Sequence, residues 1–312
     1  MDQIMGDSSA SGQPQGIVFE YRDTPSGRDP VDVIHLTDST AVLGNRHVSE
    51  SEKVLRATRF TRAIKRRNVA LVRTITADHV RGSQLSRAEA ILDAATVSYI
   101  THSAHRPNPH GRESVLIPLG HQRFRFLGYP RGVVHPGRVL FITPDTFHSN
   151  YEAALKVFAY ADLPGTELRI VGKVPSGLAP SFARTINLNG NKITLLDDTI
   201  SDAARVKEIT RAEIVVVIAP ETDEATSTML LALSLDRPVL VEDTPITRAL
   251  ADEVGNRWVR LHTGRLTAVE LEKALAAFAE SRPTGRPDLD KRDPDSVSQQ
   301  FIAAYRSAAE SR

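Results

Sequence analysis

Residues 212–243 read AEIVVVIAPETDEATSTMLLALSLDRPVLVED, and this stretch decides the fold of the chain. The branched apolar run from Ile214 to Ile218 predicts a fully buried parallel strand. After a polar loop, the apolar run from Met229 to Leu235 predicts a helix, and Pro238 to Val241 predicts the next buried strand. Strand, loop, helix and strand in this order form one βαβ unit.

The polar loop of this unit follows the carboxyl end of a parallel strand, which is where open α/β sheets bind ligands. We expect the helix to begin near Thr226, Ser227 and Thr228, just before its apolar run. The free N–H groups and positive dipole end of a helix start suit a phosphate group. The alternative is a plain βαβ unit whose loop only turns the chain.

Composition excludes several classes of protein. The 312 residues allow two domains, and the hydrophobic content of 41% is typical of a globular protein. The chain has no cysteine, which excludes disulfides and thiolate zinc sites. Residues 1–16 lack the apolar core of a signal peptide, and no apolar run approaches the roughly 20 residues of a membrane span, so we expect a cytoplasmic protein.

Charge is distributed unevenly along the chain. Residues 1–137 carry 18 Lys and Arg against 13 Asp and Glu, whereas the remainder carries 21 against 25. With only six tyrosines in the whole chain, the basic part lacks the dense cationic face and stacking aromatics of a nucleic-acid binder. We therefore expect no nucleic-acid partner.

Strands and helices alternate in two successive blocks, which predicts an α/β protein with two doubly wound domains. Residues 1–15 are predicted to be a disordered tail, 16–130 an N-terminal domain and 138–282 a C-terminal domain. Residues 283–312 are predicted to be a linker and a terminal helix that packs back toward the N-terminal domain. No G-x-G-x-x-G follows the first strand, so a dinucleotide-binding domain is poorly supported.

Four stretches match motifs of one family. Leu230 to Leu240 (LLALSLDRPVL) is similar to L-L-A-L-S-L-G-R-P-V-L, and Ile117 to Arg123 (IPLGHQR) to I-P-H-G-H-Y-R. Asp32 to Leu36 (DVIHL) is similar to D-V-V-H-L, and Trp258 to Leu261 repeats W-V-R-L. With these motifs the chain resembles GT-B glycosyltransferases, and more narrowly the bacterial GDP-mannose:glycolipid β-1,4-mannosyltransferases of exopolysaccharide assembly.

This resemblance implies the GT-B fold, in which two Rossmann-like domains face a cleft, here with a reduced N-terminal domain on the acceptor side. It also implies a nucleotide sugar, with GDP-mannose favoured, bound by the C-terminal domain. A hexose would pass to a glycan or lipid-linked glycan with inversion, and without a metal or other cofactor.

Several positions depart from the family pattern. Thr37 to Thr40 stand where the family has His-Trp-Pro-Glu, and Thr76 stands where it has a cleft histidine. Pro144 to Tyr151 lacks the Arg and Lys that bind the diphosphate, and Asp236 replaces a glycine. These departures favour a second hypothesis, a non-catalytic homologue that binds a sugar nucleotide or a partner protein without turnover.

The donor site is predicted from the loop and helix of the central βαβ unit. Thr226, Ser227 and Thr228 would hold a phosphate, and Lys173 would supply the missing cation. Glu221 and Asp223 would bind ribose or sugar hydroxyls. As alternatives, Lys173 is a solvated loop lysine and the two acids are ordinary loop acids.

Two residues are candidates for acid–base chemistry. Asp38 is the only carboxylate at the tip of its strand and is the candidate base, with a turn-forming aspartate as the alternative. His121 matches the family position, with a structural histidine as the alternative. His102, His105 and His110 lack ligand spacing, so we expect no metal site.

A predicted helix from Ser49 to Arg67 is rich in cations. Arg56, Arg59 and Arg66 suggest a face that lies on an anionic membrane, which would place the protein peripherally at the inner side of the cell membrane. The alternative is a solvated helix face.

Overall fold

The structure is a computed structural model, and it describes most of the chain beyond residue 30. The described residues are 31–45, 47–76, 86–106, 108, 111–142, 148–161, 163, 165–172, 180, 183–184, 193–196, 200–218 and 222–312, with the side chains of 148–152 excluded. The predicted tail, residues 1–15, lies outside these ranges.

Contacts divide the chain into two compact units. Unit 1 comprises Met1–Gly120 together with Arg292–Arg312, and unit 2 comprises His121–Lys291. The C-terminal segment from Arg292 therefore belongs to the same unit as the N-terminal part of the chain.

Unit 1 contains a four-stranded parallel sheet in the order β1-β2-β3-β4. Its strands are β1 Val33–Leu36, β2 Ala70–Thr74, β3 Thr96–Thr101 and β4 Ser114–Leu116. Its helices are α1 Thr40–Leu43, α2 Glu50–Arg66, α3 Arg87–Ala95 and, at the end of the chain, α9 Pro294–Glu310.

Helix α2 begins after Ser49, as the sequence predicts, and helix α3 begins in the same way after Ser86. The hydroxyls of Ser49 and Ser86 accept hydrogen bonds from the third backbone N–H of each helix, at 3.3 and 3.2 Å. Helix α2 buries Ala57, Phe60 and Ile64, which recur at helical spacing, in one core with Leu71 of β2. This core covers one face of the sheet.

Helix α9 covers the other face. Ala70 and Val72 lie on the side of β2 opposite Leu71, because successive strand residues point to opposite faces. They pack with Val297 and Phe301 of α9. Helix α9 lies in the segment where the sequence predicts a terminal helix, and it begins at Pro294 because Asp293 caps it and proline suits the first turn.

Unit 2 contains a six-stranded parallel sheet in the order β10-β9-β8-β5-β6-β7. Its strands are β5 Arg138–Ile142, β6 Glu167–Val171, β7 Ile193–Leu196, β8 Ile214–Val217, β9 Val239–Glu242 and β10 Val259–His262. Its helices are α4 His148–Tyr160, α5 Asp202–Arg211, α6 Asp223–Ser234, α7 Pro245–Val254 and α8 Ala268–Glu280. The predicted α/β class with parallel sheets is confirmed.

The interaction of α9 with the sheet predicts a large loss of stability when Phe301 is truncated. Phe301 is almost fully buried between β2 and the rings of His35 and His102. Phe301→Ala should lower the free energy of unfolding by about 3–5 kcal/mol, since it leaves a cavity. Urea unfolding followed by circular dichroism measures this change.

Gln299→Ala provides a control on the same helix, because Gln299 is exposed. This variant should change stability by less than about 0.5 kcal/mol. Equal effects of the two substitutions would contradict the packing of α9 on the sheet.

Candidate functional site

The sheet of unit 2 changes its winding direction between two central strands. β5 pairs with β6 on one side and with β8 on the other. The chain adds β7 beyond β6, and then returns to add β9 and β10 beyond β8. In open α/β sheets, such a switch point opens a crevice at the carboxyl ends of the two strands, and ligands bind there.

The predicted start of the helix after β8 is wrong. Helix α6 begins at Asp223, and Thr222 caps it by accepting a hydrogen bond from the N–H of Ala225 at 3.0 Å. The N–H of Thr226 already bonds to the carbonyl of Thr222 at 3.0 Å. Ser227 follows inside the helix, so its N–H belongs to the helical hydrogen-bond ladder rather than to a free helix start.

The three predicted donor-binding hydroxyl residues therefore lie in the second turn of α6. The hydroxyls of Thr226 and Thr228 donate to the carbonyls of Thr222 and Glu224, at 3.2 and 2.9 Å. Contact with a phosphate through their backbone N–H groups is excluded by this placement. A donor contact of these residues through their side chains stays a prediction.

The first turn of α6 carries Asp223 and Glu224. Acidic side chains there stabilise the helix because they face its positive dipole end. They also place two carboxylates where the sequence analysis expected a phosphate. Asp223 thus lies at the predicted edge of the sheet, whereas Glu221 and Lys173 lie outside the described residues and remain predictions.

The segment that carries His121 is fastened to α6. The N–H of Gln122 donates to the hydroxyl of Ser234 at 2.8 Å, and its side-chain amide donates to the carbonyl of Ser227 at 3.4 Å. Ser227 and Ser234 are seven residues apart and therefore share one helix face. The sequence analysis missed Gln122, although it stands beside His121 in the quoted IPLGHQR stretch.

His121 itself is buried. Its Nδ1 accepts the N–H of Arg123 at 3.4 Å, and its ring centroid lies 5.5 Å from that of Phe124. These contacts orient the imidazole. A structural histidine and a catalytic histidine both need such orientation, so the contacts fit either role. His121 belongs to unit 2, next to the helix that follows β8.

A second polar group at this edge of the sheet was also missed. His262 at the end of β10 pairs in register with Glu242 at the end of β9, and burial lowers the pKa of His262. The carbonyl of Glu242 accepts the hydroxyl of Thr247 at 2.6 Å, which fixes the start of α7. Glu242 and His262 each end a strand, a position that sequence periodicity alone does not distinguish from a loop.

Asp38 follows β1 in unit 1. Its carboxylate accepts the N–H of Thr40 at 2.7 Å, a side-chain turn that starts α1. This is the turn-forming role that the sequence analysis gave as the alternative. The role of Asp38 as a base stays a prediction, and Asp38 and His121 belong to different units.

A polar cluster links β1, β2 and α9 in unit 1. The ring nitrogens of His35 bond to the hydroxyls of Tyr305 and Thr74, at 2.8 and 2.9 Å. The environment lowers the pKa of His35 to about 3, chiefly through burial and then through the nearby His102. The Nδ1 of His102 bonds to the carbonyl of Ile117 at 2.8 Å.

Among the described residues, no group of three or more His, Asp or Glu side chains could hold a metal ion. His110, one of the three histidines at which we expected no metal site, lies outside the described ranges. We find no helix in the described part of the chain that is long and apolar enough to cross a membrane.

Helix α2 presents its cations to solvent. Arg56, Arg59 and Arg66 are exposed, and Arg56 forms an ion pair with Glu52 at 2.9 Å. The buried residues of α2 lie on its other side, so the cations form a basic outer face.

The two parallel sheets, their flanking helices and the switch point define the chain as a protein with the GT-B glycosyltransferase fold. Comparison with solved structures agrees. The HepE protein of Anabaena in complex with UDP-glucose has a TM-score of 0.60 at 14% identity, covering 88% of this chain and 79% of that one. AviGT4, a glycosyltransferase involved in avilamycin A biosynthesis, has a TM-score of 0.55 at 14% identity, covering 91% and 76%. At these identities the likeness concerns the fold alone.

Sequence comparison finds a narrower likeness. The chain is 29% identical over 218 residues to a GDP-mannose:glycolipid 4-beta-D-mannosyltransferase of Xanthomonas campestris pv. campestris. The match covers 70% of this chain and 62% of that protein. The resemblance stated from the four sequence motifs is thereby confirmed. No family model matches the chain.

The lowered pKa of His35 predicts that its replacement changes how stability depends on pH. As pH falls, the unfolded chain binds the proton first, so the contribution of His35 to stability is complete above about pH 6.5 and declines toward about pH 3. His35→Gln should remove this decline, worth up to about 1.4 kcal/mol per pH unit, because glutamine keeps polar contacts but does not titrate. Urea unfolding of both proteins at several pH values measures it.

The difference in stability between the variant and the unchanged protein should shrink as pH falls through this window. A difference that stays constant from about pH 6 to about pH 4 would contradict the neutral, enclosed state of His35.

Proposed function

We propose that this protein is a glycosyltransferase that moves a hexose, with mannose favoured, from a nucleotide sugar to a glycan or lipid-linked glycan. The observation that carries the proposal is the 29% identity to a GDP-mannose:glycolipid mannosyltransferase over a region that spans the switch point of unit 2. This chain covers less than two thirds of that relative, so its donor and acceptor are proposals for this chain.

The geometry of unit 2 supports donor binding at the carboxyl ends of β5 and β8. Asp223, Gln122 and Ser227 are gathered around the helix that follows β8. Carboxylate and amide groups of this kind orient sugar or ribose hydroxyls through hydrogen bonds. Because α6 begins with acids, the diphosphate must find cations or N–H groups elsewhere, and Lys173 is our candidate.

Transfer also needs a group that accepts the proton of the acceptor hydroxyl. We assign Asp38 and His121 as the candidates. Displacement of the nucleoside diphosphate by the acceptor oxygen would form the new glycosidic bond, and the departing diphosphate would carry the bonding electron pair away. Inversion at the anomeric carbon follows from a single displacement.

A second candidate function is a sugar-nucleotide binding module without turnover. The observation that favours it is the pair Asp223 and Glu224 at the start of α6, because two carboxylates there oppose a diphosphate. Transfer of radiolabelled mannose from GDP-mannose to a membrane extract distinguishes the two, since the module would bind the donor but release no labelled glycolipid.

The acceptor side of the proposal includes a lipid surface. The exposed arginines of α2 would draw unit 1 to anionic lipid, each contributing about 1 kcal/mol near the membrane surface. An enzyme with a lipid-linked acceptor benefits from such attraction, because its substrate is confined to the bilayer.

Donor binding should raise the thermal stability of the protein. GDP-mannose at a hundredfold excess over its dissociation constant should stabilise the native state by about 2.7 kcal/mol, and calorimetric unfolding measures the shift. Lys173→Ala should reduce the shift if Lys173 meets the diphosphate. Lys207→Ala is the matched control, since Lys207 is exposed on α5.

The proposal fails if neither GDP-mannose nor another nucleotide sugar shifts the unfolding temperature. If Lys173→Ala and Lys207→Ala respond alike to the donor, Lys173 is removed from the site while the function stands.

Replacing Arg56, Arg59 and Arg66 together by glutamate should weaken sedimentation with vesicles of equimolar phosphatidylcholine and phosphatidylglycerol. The reason is the reversed charge of the α2 face. Glutamate at exposed positions of unit 2 outside residues 123–133 and α5, Arg257→Glu and Lys273→Glu, serves as the charge control. Equal sedimentation of the α2 variant and the unchanged protein would remove α2 as a lipid contact.

A further inference from the structure

One short segment of unit 2 exposes several large apolar side chains. Phe124, Leu127 and Val133 are 53%, 70% and 82% exposed. They lie in residues 123–133, which we call the strap. The strap contains no Asp or Glu. Scattered single apolar residues on a surface are ordinary, but three within eleven residues mark a contact surface.

The local backbone displays these side chains rather than burying them. Residues Phe124–Phe126 form a 3₁₀ turn, in which side chains three residues apart lie on the same side. Phe124 and Leu127 therefore project together. Phe126 is buried on the opposite side, and the guanidinium of Arg125 lies over its ring at 5.4 Å. The buried ring anchors the turn and leaves its apolar partners outside.

The strap runs along helix α5. Arg125 bonds to Asp202 in the first turn of α5 at 3.1 Å, and the N–H of Gly132 bonds to the hydroxyl of Thr210 in the last turn at 2.7 Å. Since α5 leads into β8, its first turn lies at the carboxyl edge of the parallel sheet. Phe124 and Leu127 are therefore near the edge where the switch-point crevice opens.

Cations are fixed beside the strap. Arg131 and Arg286 both donate to the carboxylate of Asp236, at 2.9 and 3.0 Å, and about half of each side chain stays exposed. Asp236 has a left-handed backbone with φ of 59°, where the related motif has glycine. Its carboxylate orders two guanidinium groups whose remaining N–H donors face solvent.

Exposed guanidinium groups outnumber the carboxylates that they pair with along the strap. The arginines are Arg125, Arg131, Arg205, Arg282 and Arg286, and their acidic partners are Asp202, Glu213 and Asp236. If Arg123 is added together with Asp288 and Asp290, the two further acids that interact with it, the described residues give six arginines against five carboxylates. The surface therefore combines protruding apolar groups with an excess of cations.

We propose that the strap docks unit 2 onto an anionic lipid bilayer. Phe124, Leu127 and Val133 enter the interfacial layer, and the guanidinium groups of Arg131 and Arg286 meet lipid phosphates. A bilayer accepts protruding apolar side chains without a complementary pocket. Separate exposed side chains, such as those of this 3₁₀ turn, can therefore insert into it. The evidence for docking is the strap itself. The use of docking depends on the proposed function, because docking would bring the crevice close to a lipid-linked acceptor.

The double variant Leu127→Ser/Val133→Ser tests the proposal without touching Phe124, which contacts His121. Sedimentation with vesicles of equimolar phosphatidylcholine and phosphatidylglycerol should show a partition coefficient at least about tenfold lower than for the unchanged protein. The control Tyr160→Ser/Val269→Ser removes two apolar side chains that are 81% and 55% exposed elsewhere in unit 2. It should sediment like the unchanged protein.

The proposal is overturned if both double variants sediment like the unchanged protein, or if both lose binding equally. It is also overturned if the strap variant changes only the oligomeric state in size-exclusion chromatography, which would make a second copy of the chain the occupant. Calorimetry with GDP-mannose is run on the same variants. If GDP-mannose does not raise the unfolding temperature of the unchanged protein, the proposed function is contradicted. The docking is then still tested by the vesicle sedimentation alone.

Discussion

The parallel pairing of β5 with β8 is the constraint on which the rest of unit 2 depends. Val139 to Phe141 pair with Ile214 to Val216, and all six residues are buried. Because later strands are added on both sides of this pair, the connections leave from opposite faces of the sheet. In open α/β sheets, a strand pair of this kind has a ligand crevice at its carboxyl ends.

Contacts around this pair extend the constraint to the helix that borders the crevice. Helix α6 contacts β8 and buries Met229, Leu230 and Leu233, and it holds Gln122 through Ser227 and Ser234. The chain segment that enters unit 2 at His121 is thus tied to the same helix. A ligand at the carboxyl end of β8 would therefore lie beside both α6 and the segment that begins at His121.

The strands and most helices could be predicted because their signals are local. Apolar runs marked β8 and β9, and the helix predicted from Ser49 to Arg67 is α2, which Ser49 caps. The start of α6 was missed because the apolar run begins seven residues after its cap. Thr222 followed by Asp223 and Glu224 is a cap with an acidic first turn, and this signal would have found it.

The candidate site was predictable only in part. Position after a strand can be deduced from sequence, and it placed Asp223 at the carboxyl edge of the sheet, at the start of the helix after β8. Partners cannot be deduced, because they are distant in sequence: Gln122 bonds to Ser234, and Tyr305 bonds to His35. The strap was also missed, since exposure depends on packing against α5 and not on residue type.

We propose that a nucleotide sugar binds where β5 and β8 end. Amide hydrogen exchange of the chain, with and without GDP-mannose and followed by mass spectrometry of peptides, measures this binding site. We expect slower exchange in peptides that cover residues 142–150 and 217–228. Unchanged exchange in both regions, together with slower exchange at the opposite ends of the strands, would contradict it.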